Sequence, residues 1–202
     1  MKSIAYTATL LMVFAASAIT ADYEVTIDGQ VYLFTEGEEQ NLILKDGQHV
    51  SISVAGVKTR NFQEHGISFS YPSDMKLDQE SFYGIKQITV ESTDSTLLMV
   101  QIFPPGITPQ EVQRDLLAGF REEFANIGAR FPAKSTANCK RSIGGTERQG
   151  IQLSYSLGAL AHETEIYAIE KDGKTIAIVF QYAIEDKEKA TPRYEVVTST
   201  FK

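Results

Sequence analysis

The only cysteine and the three histidines, Cys139, His49, His65 and His162, are the side chains of this chain best suited to serve as a nucleophile, a general base or a zinc ligand near neutral pH. The histidines stand in separate segments. None forms a His-x-x-x-His pair or falls at ligand spacing from the cysteine, so the spacing predicts no zinc site. The densest cluster is His162-Glu163-Thr164-Glu165. On a strand Glu163 and Glu165 share one face and His162 takes the other, a pattern that suits an exposed polar edge better than a metal centre. Asp28-Gly29 and Asp46-Gly47 lack the further oxygen ligands of a calcium loop and read as turns. Gly144-Gly145 has no following Lys-Ser/Thr and no helix, so it is a turn rather than a phosphate cradle, and no G-x-S-x-G elbow occurs. Cys139 with a remote histidine, or a serine with an acid and a histidine, is available by composition but carries no spacing signature. No catalytic, cofactor-binding or metal residue is assigned, and an active site gathered from scattered residues stays open.

Cys139 is the only cysteine, so no intrachain disulfide can form. Lys140 and Arg141 beside it would lower its pKa, which is the reactive reading, and pairing between chains is a third outcome. The preferred expectation is a buried, inert thiol, the usual state of free cysteine. The start of the chain bears on this residue. Lys2, an apolar run from Ile4 to Ala18 and small residues up to Ala21 form a secretory leader, with cleavage expected after Ala21 or after Ala18. The run is too short and too interrupted for a spanning helix, and no cysteine at the cut offers a lipid anchor. The expectation is a periplasmic or secreted protein with no membrane insertion after cleavage. The formal net charge of the whole chain is −7, and the leader removes only Lys2 from the balance. An acidic chain without a Lys/Arg run argues against nucleic acid as a partner.

The elements that must position these residues begin with paired hairpins. Tyr23, Val25 and Ile27 alternate with polar residues up to Asp28-Gly29, and Val31 and Leu33 alternate after it. Leu42 and Leu44 lead to Asp46-Gly47, with Val50, Ile52 and Val54 beyond. Asp-Gly supplies the positive φ angles of a two-residue hairpin turn. The reading is a four-stranded meander over residues 22–57, too small to be stable unaided, and expected to pack on the rest of the chain or on a second copy as a homodimer. Residues 55–61 lack periodicity and read as a linker.

The second part, residues 62–202, opens with Gly66-Ile67-Ser68-Phe69-Ser70-Tyr71-Pro72, followed by strands over 85–90 and 96–103. Thr108, Pro109 and Glu111 form a capping box with proline at the first helical position. Val112, Leu116, Leu117, Phe120, Phe124 and Ile127 recur at helical spacing, and Gly128 closes the helix. Strands over 139–143, 147–157, 162–170 and 175–183 come next. Ile176 to Phe180 is apolar on both faces and so should lie centrally and be covered on both sides. A last helix is expected to start at Thr191-Pro192 and turn Tyr194, Val197 and Phe201 inward. Hairpin-length links make the fold α+β: a mainly antiparallel sheet of six to seven strands with helices packed on it, after a small N-terminal β-meander.

Three stretches carry a family resemblance. Gly66 to Pro72, with its aromatic-x-x-Pro setting, Thr175 to Tyr182, and Ser199-Thr200-Phe201-Lys202 resemble the opening strand, the penultimate strand and the helix ending of the PsbP-like α/β/α sandwich superfamily. The resemblance covers residues 62–202. It implies a fold and a mode of work, docking to other proteins, and it implies no catalytic residue. The expected function is an exported, non-catalytic binding or assembly-accessory protein that docks to another envelope or secreted protein. A small-molecule carrier or enzyme, and an inhibitor or toxin-neutralising protein, are the alternatives.

Overall fold

The computed structural model describes residues 23–202, so the expected leader over 1–21 lies outside the described residues. The described residues divide into two compact units that part between Gly56 and Val57. In the first, β1 (Tyr23–Ile27) pairs with β2 (Gln30–Phe34), and β3 (Glu39–Ile43) pairs with β4 (His49–Ser53). These are two separate two-stranded sheets, not one four-stranded meander. The connector explains the break: the Gly37 amide donates to the Val54 carbonyl (2.8 Å) and the Glu38 amide to Thr35 (3.2 Å), which folds the link into a turn between β2 and β3.

The two Asp-Gly turns also differ. Asp28 and Gly29 both have positive φ (50° and 76°), the two-residue turn expected. In the second hairpin only Gly47 does (83°), and its amide donates back to the Leu44 carbonyl (2.9 Å), a longer loop closed by glycine. The first turn sets a register that the alternation in β2 did not reveal. Ile27 faces Gln30, Val25 faces Tyr32 and Tyr23 faces Phe34. Phe34 is therefore the fully buried residue of β2, while Val31 and Leu33 are 57% and 56% exposed. One residue of register reverses a whole face.

The second unit holds β5 (Thr59–Glu64), β6 (Ile67–Pro72), β7 (Lys76–Phe82), β8 (Ile85–Glu91) and β9 (Leu97–Ile102), then α1 (Pro109–Asn126). After it come β10 (Thr136–Ile143), β11 (Thr146–Leu157), β12 (Leu160–Lys171), β13 (Lys174–Ala183) and α2 (Lys187–Thr200). Seven strands form one sheet in the order β10-β11-β12-β13-β9-β8-β7, with every neighbouring pair antiparallel. β5 and β6 form a separate hairpin. β5 takes in the last three residues of the stretch expected to be a linker, and β7 is an edge strand that periodicity missed because all of its residues but Leu77 are exposed.

Both faces of the sheet can be read from its register. The first face carries Ile88 and Val90, Leu98, Val100 and Ile102, and Ile176, Ile178 and Phe180, all buried. Phe62, Ile67, Phe69 and Tyr71 of the hairpin, Tyr194 and Val197 of α2, and Phe201 at its C-cap complete that core. On the second face α1 packs over β11, β12 and β13, with Phe124 stacked on Tyr155 at 4.3 Å and Leu153 fully buried. The position of α1 follows from topology. It must carry the chain from central β9 to the far edge strand β10, across the strands that fill the space between.

The helix ends are locally specified. Thr108 accepts from the Glu111 amide (3.3 Å) and Glu111 accepts from the Thr108 amide (2.9 Å). At the other end Gly128 (φ 91°) donates to the Ala125 carbonyl and Ala129 to the Phe124 carbonyl, a Schellman closure. Ile127, placed on the inner face by spacing, is 59% exposed because it is the cap itself. α2 starts a turn earlier than expected. Thr191 does not cap it; its hydroxyl donates back to the Lys187 carbonyl (2.8 Å), and Pro192 lies inside the helix.

Candidate functional site

α1 covers only half of the second sheet face. Beside it lies an open groove of about 480 Å³ whose wall is Leu116, Phe120 and Glu123 and whose floor includes Gln87, Leu97, Met99, Gln101 and Gln181. The strand alternation makes this floor: Ile88 and Val90 of β8 and Leu98, Val100 and Ile102 of β9 are buried on the side facing α2, whereas Gln87, Thr89, Leu97 and Met99 on the opposite side remain partly exposed. Gln101 is the exception. It is 7% exposed; its amide nitrogen donates to Gln87 (2.6 Å), while its Oε1 is buried without a hydrogen-bond partner. A buried acceptor left open costs free energy until a donor meets it. The groove thus combines apolar side chains with an unmet acceptor and charged residues at its rim.

The residues singled out by chemistry do not converge there. His49 starts β4 in the first unit, and His65 holds φ 57° in the β5–β6 turn. His162 stacks on Tyr155 (5.2 Å) with its Nδ1 buried and unpartnered, in a separate cleft with Arg130 and Phe131. Burial pulls its pKa down against an opposing pull from Glu185. Among the described residues no group of three His, Cys, Asp or Glu side chains is placed to hold a metal ion.

Glu163 and Glu165 do share one face of β12, opposite His162, but β12 is an interior strand and not an edge. They sit between sheet and α2, where the expectation of an exposed polar edge fails because β11 and β13 flank them and α2 lies above. Glu165 takes three hydrogen bonds from the Arg141 guanidinium (2.9–3.1 Å) and one from the Tyr167 hydroxyl (2.7 Å). Arg141 also lies over the rings of Phe180 (4.7 Å) and Tyr194 (5.7 Å). Glu163 accepts from the Tyr182 hydroxyl and pairs with Lys187 at 3.7 Å. Burial and these carboxylates push the phenols of Tyr167 and Tyr182 well above their ordinary range. This cluster satisfies itself, which is what a buried ion pair needs to persist.

Cys139 stands on the same face, half-buried against the core. Its thiol is pushed up by burial, with smaller opposing effects from Tyr167 and Arg141. Neighbouring Lys140 points to the other face and pairs with Glu147 (2.8 Å), so it does not activate the thiol.

The fold defines an α+β protein with one antiparallel sheet layered between helices. Solved structures similar to it include the cyanobacterial PsbP of Synechocystis sp. PCC 6803, at 17% identity and TM-score 0.45, covering 76% of this chain and 97% of that one. LpqN of Mycobacterium tuberculosis, described as involved in cell envelope biogenesis, is similar at 15% identity and TM-score 0.41, over 67% and 82% of the two chains. A protein of Bacteroides thetaiotaomicron is similar at 14% identity and TM-score 0.45, over 72% of this chain. The chain spans about half (48%) of the length of that Bacteroides protein. No family model and no curated protein matches the sequence.

Proposed function

We propose that this is a non-catalytic binding or assembly-accessory protein of the exported space, which docks on another envelope or secreted protein through the open sheet half beside α1. One observation carries the reading: Leu97, Met99, Leu116 and Phe120 line a groove whose central strand, β9, is buried along its other face at Leu98, Val100 and Ile102. Apolar side chains held rigidly from behind and open in front are the material of a binding surface. The charged residues that could do chemistry on the opposite face are engaged: Arg141 with Glu165, Glu165 with Tyr167, and Glu163 with Tyr182 and Lys187. The leader read over residues 1–21 supplies the compartment.

A photo-crosslinking amino acid at Met99, in cells producing the protein at native level, tests this. A discrete adduct with one protein is expected, and none from the same group at Gln79, which is exposed on the other side of β7. Loss of the distinction between the two positions would sink the docking reading.

A further inference from the structure

We propose that the occupant of this groove is an amphipathic helix with basic flanks, about four turns long, presented by a partner protein; the inference rests on the docking reading above. Shape favours a helix. On the β13 side of α1 the strands left uncovered are β9, β8 and β7. At about 4.8 Å per strand they span roughly 14 Å, close to the 10–12 Å diameter of a helix with its side chains. β8 and β9 are 7 and 6 residues long, or roughly 20–24 Å, which matches about 15 helical residues. A helix laid there would run beside α1 at ordinary packing distance and complete a layer that α1 half fills.

The apolar surface has the same logic. Leu97 and Met99 on the floor and Leu116 and Phe120 on the wall form a patch that crosses from strand to helix, rather than a row along one strand edge. A strand added to β7 would miss it, because the residues of that edge on this face include Lys76, Asp78 and Glu80, all exposed. Phe82, the next on the same face, is 36% exposed at the end of the floor and extends the patch.

Charge chooses the flanks. The rim carries Asp78, Glu80 and Glu91 on the sheet side and Asp115 and Glu123 on the α1 side. Against them stand Lys76 and Arg114, the latter already paired with Asp115 at 2.8 Å. Glu80 also accepts from Gln87 (2.5 Å). The excess is negative on both walls, which favours lysine or arginine on both flanks of the occupant and disfavours an acidic one. At the floor the open Oε1 of Gln101 can accept a hydrogen bond from a donor side chain of the occupant.

The test is a titration of the purified protein with a fluorescent peptide of about 15 residues in a Leu/Lys amphipathic pattern, held helical by a side-chain staple. Its Leu/Glu counterpart is titrated alongside. Saturable binding of the basic helix is expected, weakened about tenfold or more in Glu80→Lys/Glu123→Lys, in Met99→Asp and in the acidic helix, and reduced by salt. Circular dichroism confirms that the variants fold. Equal binding of the two peptides, no saturable binding, or indifference to Met99→Asp overturns the inference. So does a homodimer that Met99→Asp dissociates in sedimentation, because the occupant is then a second copy. A discrete Met99 adduct without helix binding overturns this inference alone, whereas loss of both removes the docking reading as well.

Discussion

The ring of Tyr167 lies against the backbone of Gly150, so near that a Cβ there would stand 2.5 Å from the ring and 2.9 Å from the Ile166 carbonyl. The two residues face each other across β11 and β12, and Cys139 faces Gly150 from β10. The missing side chain is what lets Tyr167 lean across β11, with its hydroxyl on Glu165.

Gly150→Ala is therefore expected to destabilise the second unit by about 2–4 kcal/mol, since neither a ring packed in a core nor a ladder carbonyl can yield cheaply. Urea unfolding followed by tyrosine fluorescence measures it. A loss below about 0.5 kcal/mol, the level of an ordinary surface change, would contradict the packing described.

Arg141 and Glu165 should behave as a buried pair. Their side chains are 21% and 12% exposed and joined by a forked contact. Arg141→Met or Glu165→Leu alone is expected to cost about 2–4 kcal/mol, because each leaves a desolvated charge behind. The double variant should recover much of that loss. Purely additive losses in the double-mutant cycle would show that the pair is not coupled.

Stability in acid should depend on Asp94. Burial raises its pKa, but hydrogen bonds from Ser92, Thr96 and Arg193 outweigh this and hold the carboxyl well below the ordinary range. The folded value lies below the unfolded one, so this contribution is present in full above the unfolded pKa, about 3.9, and is lost as pH falls through the folded value. Arg193 bridges Asp94 (2.5 Å) and Asp74 (2.7 Å), tying α2 to the loops around β7 and β9. Arg193→Gln should lower stability by about 1–3 kcal/mol near neutral pH and reduce the loss between about pH 4 and pH 2. Thermal midpoints across that range provide the measurement.

Cys139 should be a slow thiol. Its pKa is pushed up by burial, so the thiolate that reacts is scarcer at neutral pH than in a free cysteine. Reaction with a disulfide reagent is expected to be at least about tenfold slower in the native protein than in urea, with its pH midpoint above that of the unfolded chain's thiol. Equal rates in the two states would mean that the thiol is open and unperturbed.

Much of the architecture was legible because its signals are local. Thr108, Pro109 and Glu111 lie within one turn of helix and cap it with no help from elsewhere. Gly128 terminates that helix through its own positive φ, and Asp28-Gly29 turns the first hairpin in the same way. The apolar run Ile176 to Phe180 required cover on both faces and has it, at the centre of the sheet between β12 and β9.

What the sequence by itself determined was the antiparallel α+β class, the strong helix and most of the strands, since each rests on neighbours a few residues apart. Only the tertiary structure decided which faces are covered. β7 has almost no buried residue, so its pairing with β8 leaves no periodic mark. Glu165 looks like a surface charge until Arg141, twenty-four residues away, reaches it, and Glu163 does until Tyr182 and Lys187 meet it. The groove beside α1 depends on the path of a helix that must cross β11 to β13 and therefore leaves β7 to β9 open on that side. Burial is a relation between distant segments, and no window of sequence contains both of them.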